Sequence, residues 1–480
     1  MLNPLKAALL ALPLLTACAS LSFEERRQPN FILIFVDDMG YGDLGCFGSE
    51  KNRTPALDRL ADEGMRLTDF YVASSVCTPS RAALMTGCYP QRVGLHEDQN
   101  ELCVLFPGAK KGINSRELTI AESLKDAGYA TACFGKWHLG DQLEFLPTRH
   151  GFDEYYGIPY SNDMVARTGP GRPPLPLMRD EFVIEAPADQ DLLTKRYTEE
   201  SVRFIREHAD EPFFLYLPHA MVHLPLHASD EFRGKSANGI YGDAVEEIDA
   251  STGAIVATLE ELGLAEDTVI LFTSDNGSNG GNGGSNGQLR GRKGQTWEGG
   301  QRVPCIAWWP GHIQAGAECR ELTAAFDVYP TFAALAGAES PDMDGRDLAP
   351  LLFSEEGATS PHEAFYYYQM DQLQAVRSGR WKLHLPLADK QRNWGKSEGA
   401  VEAQLFDLVA EIQEETNVIA EHPEVAARLS ALAEAAREEL GDGDRVGAGQ
   451  LEAGWVDSPD VRRVRFDIPS APPAISRLPE

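Results

Sequence analysis

A cysteine followed by Thr, Pro, Ser and Arg carries the most distinctive chemistry in the sequence. Residues 77–81 (CTPSR) precede an Ala-, Leu- and Met-rich run that predicts a helix, and Thr, Pro and Ser suit its first turn. A side chain at a helix N-terminus meets free N–H groups and a partial positive charge, so Cys77 is placed to meet an anion. Arg81 adds a planar cation one turn later. A buried cysteine beside a capped helix explains these residues equally well.

Hard oxygen ligands follow two apolar runs. Asp37 and Asp38 come after residues 31–36 (FILIFV), while Asp275 and Asn276 follow residues 268–273 (TVILFT) and one serine. One acidic residue after a strand is more often the cap of the next helix, but two such clusters favour a shared site. Their oxygens suit Ca²⁺, with Mg²⁺ as the alternative. The sequence has no His/Cys cluster with zinc spacing, which disfavours zinc.

Cationic and imidazole side chains stand at comparable places. Lys136 and His138 follow the apolar run 129–134, His223 follows a strand-like run, and Lys293 has glycines close on either side. A single lysine or histidine is usually solvated or satisfied within the core. Together with Arg81 and a hard cation, however, this set suits a tetrahedral oxyanion such as sulfate or phosphate.

The elements that must position these side chains are buried strands. Continuous apolar runs alternate with helical patterns over the first two thirds of the chain, which predicts a doubly wound α/β domain. Ligands in such folds bind outside the carboxyl ends of the strands, where the side chains above lie. Residues 147–187 are rich in Pro, Gly and aromatic residues and predict an irregular loop. Residues 277–287 contain only Gly, Ser and Asn and predict a flexible loop.

The pattern changes near residue 355. Short strand-like runs followed by an amphipathic helix at 423–440 predict a smaller α+β domain. The predicted divisions are a signal peptide at 1–18, a linker at 19–29, a catalytic α/β domain at 30–355, a C-terminal α+β subdomain at 356–444 and an extended tail at 445–480.

Charge and the N-terminus limit the functional classes. The 480 residues carry a formal net charge of −30 at pH 7, which argues against nucleic acid as a partner and requires a locally positive pocket for an anionic substrate. A basic start and a short apolar run predict an export signal. Its Leu-Thr-Ala-Cys end resembles a bacterial lipoprotein signal with Cys18 as the lipidated residue, and an ordinary secretory signal is the alternative. The predicted location is the bacterial cell envelope, as a periplasmic or outer-membrane lipoprotein.

The rest of the chain shows neither a membrane span nor a disulfide pattern. No later segment has about 18 continuous apolar residues, so no transmembrane helix is predicted. The eight cysteines have irregular spacing, and their pairing cannot be deduced from it.

Five motifs resemble those of the type I sulfatases, in the same order. Residues 77–87 (CTPSRAALMTG) and 128–138 (GYATACFGKWH) resemble the two family signatures, and residues 37–43, 274–277 and 293–300 also match. The resemblance spans residues 30 to 440 and is greatest to the branch of arylsulfatase A and N-acetylgalactosamine-6-sulfatase. It implies an alkaline-phosphatase-like fold with a mixed sheet.

The resemblance also implies a mechanism. Cys77 would be oxidised by a formylglycine-generating maturation enzyme to an aldehyde (3-oxoalanine), whose hydrate attacks sulfur while bound to the metal. Asp37, Asp38, Asp275, Asn276 and residue 77 would hold Ca²⁺, and Asp275 would accept the proton of the attacking hydroxyl. The remaining implied roles are sulfate binding by Arg81, Lys136 and Lys293, protonation of the departing alcohol by His223 and Lys293, deprotonation of the second hydroxyl by His138, and substrate binding by Ser161.

The expected function is therefore hydrolysis of sulfate monoesters, either aryl sulfates or sulfated sugars. Two alternatives stay open on sequence. One is a phosphomonoester or phosphodiester hydrolase of the same superfamily, although those related to alkaline phosphatase use Ser or Thr with zinc clusters of His and Asp. The other is a glycan-binding lipoprotein without catalysis, in which Cys77 stays a thiol.

Overall fold

The computed structural model describes residues 28–165, 173–393 and 396–460. The predicted signal peptide with Cys18 lies outside these ranges. Within them, no helix is both long and apolar enough to cross a membrane. The described cysteines, residues 46, 77, 88, 103, 133, 305 and 319, form no disulfide.

Helices and strands alternate along most of the described chain. The helices are α1 (Pro55–Glu63), α2 (Cys77–Thr86), α3 (Ile120–Asp126), α4 (Leu193–Glu207), α5 (Gly239–Leu262), α6 (Glu298–Gln301), α7 (Val328–Ala336), α8 (Ala349–Leu352) and α9 (Pro423–Leu440). The strands are β1 (Asn30–Val36), β2 (Met65–Leu67), β3 (Phe70–Tyr71), β4 (Lys111–Gly112), β5 (Ala130–Lys136), β6 (Glu154–Ile158), β7 (Leu177–Arg179), β8 (Phe182–Glu185), β9 (Phe213–His219), β10 (Thr268–Ser274), β11 (Cys305–Trp308), β12 (Ala317–Cys319), β13 (Thr323–Ala324), β14 (Phe365–Gln369), β15 (Gln372–Ser378), β16 (Trp381–His384), β17 (Gln391–Arg392), β18 (Lys396–Ser397), β19 (Gln404–Asp407) and β20 (Gly454–Trp455).

Ten of these strands form one mixed sheet. Its order is β12-β2-β11-β10-β1-β9-β5-β6-β7-β8, and the central strands β10, β1, β9, β5 and β6 run parallel to one another. The outer neighbours β11 and β7 are antiparallel to this group. The carboxyl ends of five strands therefore meet along one edge, as the apolar runs predicted.

Both faces of the sheet are covered by helices. Residues of β1 alternate between two clusters, with Phe31 and Leu33 in one and Ile32 and Ile34 in the other, and all four are fully buried. Buried residues of α2, α3 and α7 join the first cluster, and those of α1, α4 and α5 join the second. The doubly wound α/β class predicted from the sequence is confirmed.

A smaller domain follows the large one. Strands β14, β15, β16 and β19 form an antiparallel sheet. Helix α9 buries Leu429, Ala433 and Ala436 in the same cluster as Leu373 of β15 and Leu383 of β16. This is the predicted C-terminal α+β unit.

The prediction of an irregular loop over residues 147–187 was wrong. The segment contains β6, which extends the large sheet parallel to β5, and the strands β7 and β8. β6 is short and includes a glycine, and Pro and Gly flank it closely. Pro and Gly usually interrupt strands, so the sequence pattern did not indicate a strand here.

The loop at residues 277–287 is anchored, contrary to the prediction of flexibility. Gly42 N donates to Ser285 O at 2.9 Å, and Ser285 N donates to Asp43 Oδ1 at 2.8 Å. Asn286 Oδ1 accepts from Ser278 N at 2.8 Å. Side-chain and backbone hydrogen bonds thus fix the position of this loop, although its composition is typical of flexible linkers.

The beginning of the predicted tail runs along the large domain. Strand β20 pairs with β4, and Leu451 N donates to Arg92 O at 2.7 Å. The tail beyond residue 460 lies outside the described residues.

Candidate active site

Four predicted site residues leave the sheet at the same edge. Asp37 and Asp38 follow β1, Asp275 follows β10, and Lys136 ends β5. Backbone contact holds β5 close to its neighbour, because a Cβ at Gly135 would lie 2.0 Å from Pro218 O. Only glycine fits there, so Lys136 is positioned by the residue before it.

Cys77 is the first residue of helix α2 and is 3% exposed. The expected capping by Ser or Thr is absent in the described structure, since Val76 is the N-cap and makes no side-chain hydrogen bond. Thr78 Oγ1 instead accepts from Leu105 N at 3.2 Å. Pro79 has no N–H and Ser80 N donates to Val76 O at 3.3 Å, so the N–H groups of Cys77 and Thr78 are those at the end of the helix, where an anion would lie.

Three buried carboxylates are each paired with a different cation. All six side chains lie at the carboxyl edge of the sheet or at α2. The pairs are Lys136 Nζ to Asp37 Oδ2 at 2.5 Å, Lys293 Nζ to Asp38 Oδ1 at 2.5 Å, and Arg81 Nη2 to Asp275 Oδ2 at 2.7 Å.

The carboxylates are arranged as a metal site would require. One ligand atom each from Asp37, Cys77 and Asp275 lie within 4.8 Å of one another. Asp37 Oδ1 and Asn276 Oδ1 are buried and have no hydrogen-bond partner among the described residues. A buried oxygen without a partner is costly, and a hard cation would satisfy both. The residues present fit Ca²⁺ or Mg²⁺.

The pKa values of the two central carboxyls diverge. Burial alone would raise the pKa of Asp37, but Lys136, His223 and Arg81 hold it well below its usual range. Burial and the charge of Asp37 raise the pKa of Asp275 to about 7. A divalent cation between them would remove this repulsion and ionise both.

The two histidines differ in which nitrogen is available. His138 Nε2 lies 3.0 Å from Leu105 O, and since a carbonyl can only accept, Nε2 carries the proton. His138 Nδ1 is buried and has no hydrogen-bond partner in the part of the chain that the structure describes, so it is an acceptor. His223 Nδ1 likewise donates to Leu224 O at 2.6 Å, and its Nε2 lies 3.8 Å from Asp38 Oδ2. Burial lowers the pKa of both rings, assisted by Lys136 and Lys293 respectively.

A pocket of about 270 Å³ opens onto these groups. Cys77, Asp38, Lys293, His223 and Ser161 line it. Ser161 Oγ lies 3.4 Å from Lys136 Nζ and 3.5 Å from His223 Nδ1. The structure thus brings all the predicted residues from 37 to 293 into one site, with Arg81, Lys136, His138, Asp275 and Asn276 beneath the pocket and fully buried.

Comparison with known proteins decides the family. The sulfatase family profile matches residues 29–338, which is more than half of the chain. The chain belongs to the sulfatase family. A second profile, the C-terminal domain of N-sulphoglucosamine sulphohydrolase, matches residues 292–438.

Individual sulfatases agree with this assignment. The chain is 41% identical to arylsulfatase A of Homo sapiens over 387 residues, 75% of each chain. It is 40% identical to N-acetylgalactosamine-6-sulfatase of Rattus norvegicus over 407 residues, 79% of this chain and 76% of that one. The solved structure of Ps i-CgsB in complex with k-i-k-neocarrahexaose is 30% identical, with a TM-score of 0.72 over 85% of this chain and 92% of that one.

The alkaline-phosphatase-like fold class and the type I sulfatase assignment are therefore confirmed, and the protein is a sulfuric ester hydrolase. The structure also contains a larger cavity, of about 690 Å³, between the two domains of this sulfatase. None of the predicted site residues lines it. Several predicted site residues line the smaller pocket instead.

Sequence reasoning missed four polar residues of the sulfatase pocket region. Asn162 Oδ1 lies 3.1 Å from His223 Nδ1, and Asp163, Asn279 and Asn393 line the pocket. Asn162 lies next to Ser161 in the short family match, which could have indicated it. Asn279 lies in the Gly-rich loop and Asn393 in the small domain, and neither has a local pattern that distinguishes it from a surface amide.

Proposed function

We propose that this sulfatase hydrolyses sulfate monoesters of saccharides, using formylglycine formed from Cys77 and a bound Ca²⁺. The observation that carries the proposal is the convergence of Asp37, Cys77 and Asp275 within 4.8 Å, enclosed by the cations Arg81, Lys136 and Lys293. Carboxylates, a nucleophile position and cations around one point suit attack on a sulfate group.

The unmodified cysteine would be a poor nucleophile. Burial raises the pKa of the Cys77 thiol, and the charges of Lys136 and Lys293 offset this only in part. A neutral buried thiol is inert. Conversion to formylglycine would supply a hydrated aldehyde with two hydroxyl groups on one carbon, one to attack and one to release sulfate.

The metal would be held by Asp37, Asp38, Asp275 and Asn276. Two of these residues have a buried oxygen without a hydrogen-bond partner, as expected of ligands. Bound Ca²⁺ would supply a hard positive charge that lowers the pKa of a hydroxyl on residue 77. Mg²⁺ is the alternative because it takes the same ligands.

Other side chains of the protein would neutralise charge and transfer protons. Arg81, Lys136 and Lys293 neutralise the sulfate oxygens. His138 Nδ1 is the unpartnered acceptor that would take a proton from residue 77. His223 and Lys293 face the pocket and would protonate the departing alcohol, since a bound sulfate anion raises the pKa of a neighbouring imidazole.

A saccharide substrate is supported by the relatives and by the pocket. One relative is named for a sulfated amino sugar, and one solved structure holds an oligosaccharide. The pocket wall here presents Ser161, Asn279 and Asn393 beside the cations. Hydroxyl and amide groups suit the many oxygens of a sugar.

Export is part of the proposal and rests on the sequence. Cys18 would carry a lipid anchor after signal cleavage, which would hold the sulfatase in the bacterial envelope, where it meets sulfated glycans from outside the cell. The chain would also need a formylglycine-generating enzyme in its host, acting on residues 77–81.

Mass spectrometry of the peptide that contains residues 76–81, isolated from the native host, tests the modification. We expect the mass of formylglycine at residue 77 and hydrolysis of 4-nitrophenyl sulfate far above that of 4-nitrophenyl phosphate. The variant Cys77→Ala serves as the control. A protein that hydrolyses the sulfate ester while all of residue 77 remains a thiol would overturn the proposed nucleophile.

A further inference from the structure

We propose that Asn393, a residue of the small domain, determines which alcohol the sulfatase accepts. Its Nδ2 group donates a hydrogen bond to an oxygen on the alcohol part of the substrate, a hydroxyl or ring oxygen of a saccharide. Gln369 fixes the orientation of the Asn393 amide and is a positioning residue. The proposal rests on the proposed function in one respect, since it takes the substrate to be a sulfated saccharide.

Asn393 is the contribution of the small domain to the pocket. It directly follows β17 and lines the 270 Å³ pocket together with Lys293 and His223, the two groups assigned to the departing alcohol. Much of the remaining wall is apolar, with Val76, Val104, Met164 and Leu224. With so few polar groups on the wall, the Asn393 amide has a large effect on which substrate groups the pocket accepts.

The oxygen of the Asn393 amide is already engaged. Gln369 Nε2 donates to Asn393 Oδ1 at 2.5 Å. Gln369 is 2% exposed at the end of β14, and its own Oε1 accepts from Ser75 Oγ at 3.4 Å. Ser75 stands two residues before Cys77, so this chain of hydrogen bonds ties the small domain to the segment that carries the nucleophile.

The Asn393 amide nitrogen is the group that remains available to donate to a substrate. Within the described part of the chain Asn393 Nδ2 donates to no acceptor. It packs directly on Gly294, where a Cβ would lie 1.9 Å from Nδ2. Gly294 has a φ of +78° and its N donates to Ser75 O at 2.9 Å. Glycine is needed there both for its conformation and to leave room for Asn393 beside Lys293.

The two N–H bonds of Asn393 Nδ2 lie on the side of the pocket where the departing alcohol would bind. They discriminate between leaving groups. Near its sulfated carbon a sugar offers hydroxyl and ring oxygens to an amide donor, whereas 4-nitrophenyl sulfate has only C–H groups there and carries its nitro oxygens at the far end of the ring. A site built to donate a hydrogen bond favours the partner that can accept it. The ratio of kcat/KM for a saccharide sulfate to that for an aryl sulfate is therefore the quantity that Asn393 controls.

The experiment compares this ratio in the full-length, matured protein and its variants. The probes are 4-nitrophenyl sulfate and the best substrate from a panel of 6-sulfated galactose, glucose, N-acetylgalactosamine and N-acetylglucosamine. The variants are Asn393→Ala, Gln369→Leu and the double variant. The control is Asn114→Ala, whose amide bonds Glu452 O outside the pocket.

We expect Asn393→Ala to lower the ratio about three- to tenfold, the effect of one hydrogen bond, while the control leaves it unchanged. Gln369→Leu should lower the ratio as well, and the double variant no further than Asn393→Ala alone, because Gln369 acts through Asn393. A merely structural role for Gln369 would give additive losses in both substrates. Thermal unfolding of each variant identifies losses caused by poor folding.

Two different failures are distinguishable. If the wild type hydrolyses a saccharide sulfate and Asn393→Ala leaves the ratio unchanged, the assignment of Asn393 is wrong and the proposed function stands. If the wild type hydrolyses 4-nitrophenyl sulfate but none of the saccharide sulfates, the proposed substrate is wrong and the assignment fails with it.

Discussion

Replacing Lys382 by methionine tests how the small domain is held to the large one. Lys382 Nζ lies 3.0 Å from Glu298 Oε1 and 2.9 Å from Glu414 Oε1, and all three side chains are fully buried. Glu298 begins α6 of the large domain, while Lys382 lies on β16 of the small one. Met fills much of the same volume but leaves two buried carboxylates without their shared cation.

The expected cost is large because one partner of a buried ion cluster is removed. Such a change typically destabilises by about 3–5 kcal/mol. Burial and the charge of Glu298 already raise the pKa of Glu414 to about 7, even with Lys382 present. Without Lys382 the pKa of Glu414 rises further. The variant therefore loses less free energy of unfolding at low pH, where Glu414 is protonated and neutral.

The sign of the pH dependence follows from this shift. A carboxyl whose pKa is higher in the folded than in the unfolded state binds more protons when folded, so stability falls as pH rises between the two values. For the wild type this window ends near pH 7, and for Lys382→Met it extends above pH 7. Between pH 7 and 8 only the variant should keep losing stability, by up to about 1.4 kcal/mol.

Urea unfolding followed by circular dichroism and tryptophan fluorescence at pH 6, 7 and 8 measures both effects. Lys51→Met, at an exposed lysine, is the matched control. Combining Lys382→Met with Glu414→Gln should recover much of the loss, because the remaining carboxylate, Glu298, keeps Arg302 as a cationic partner. A loss below about 1 kcal/mol at pH 8, or one that does not grow from pH 7 to 8, would refute the reasoning.

Three further predictions concern the catalytic site and the pH dependence of stability. Cys77→Ala should abolish sulfate ester hydrolysis and leave the melting temperature within a few degrees, and loss of folding instead would assign Cys77 a structural role. Removal of divalent cations by a chelator should abolish hydrolysis and lower the melting temperature measured by calorimetry. Adding Ca²⁺ should restore both in the wild type but not in Asp37→Asn. Equal recovery in the two proteins would exclude Asp37 as a ligand. Burial raises the pKa of Asp249, which accepts hydrogen bonds from the first N–H groups of α1, to about 6. This carboxyl should therefore contribute a fall in stability as pH rises from about 4 to 6, and Asp249→Asn should remove that contribution and change the slope in urea titrations. An unchanged slope would contradict the assignment.

Several of the chemistry-bearing residues could be predicted because they lie at the end of a recognisable strand. Runs such as residues 31–36 are apolar on both faces, which is typical only of strands covered on both sides. Once β1, β5 and β10 are parallel, Asp37, Lys136 and Asp275 must meet at one edge. Local pattern plus one topological rule was enough for this part of the site.

The contribution of the small domain could not be predicted. Asn393 reaches the pocket only because it accepts a hydrogen bond from Gln369 and packs on Gly294. These residues lie 24 and 99 positions away in the chain. No local periodicity encodes such a contact. β6 was missed for a related reason, because pairing with β5 overrides the weak strand propensity of a segment flanked by Pro and Gly.

The charges of the site bear on the choice between sulfate and phosphate. At the base of the pocket, the described carboxylates Asp37, Asp38 and Asp275 balance the cations Arg81, Lys136 and Lys293 one to one, and Asp163 adds one more carboxyl group on the pocket wall. A divalent cation would leave a net charge of about +2 when both histidines are neutral. A sulfate monoester carries one negative charge and an ionised hydroxyl on residue 77 a second, so the loaded site would be neutral.

A phosphate monoester carries nearly two negative charges at neutral pH. With the ionised hydroxyl it would leave an excess of one negative charge, which is costly among groups that are almost fully buried. Zinc-based relatives could offset that excess with a second metal ion, but the described residues offer ligands for one metal cluster only. The balance of charges therefore gives a physical reason, independent of family membership, for this pocket to favour sulfate esters.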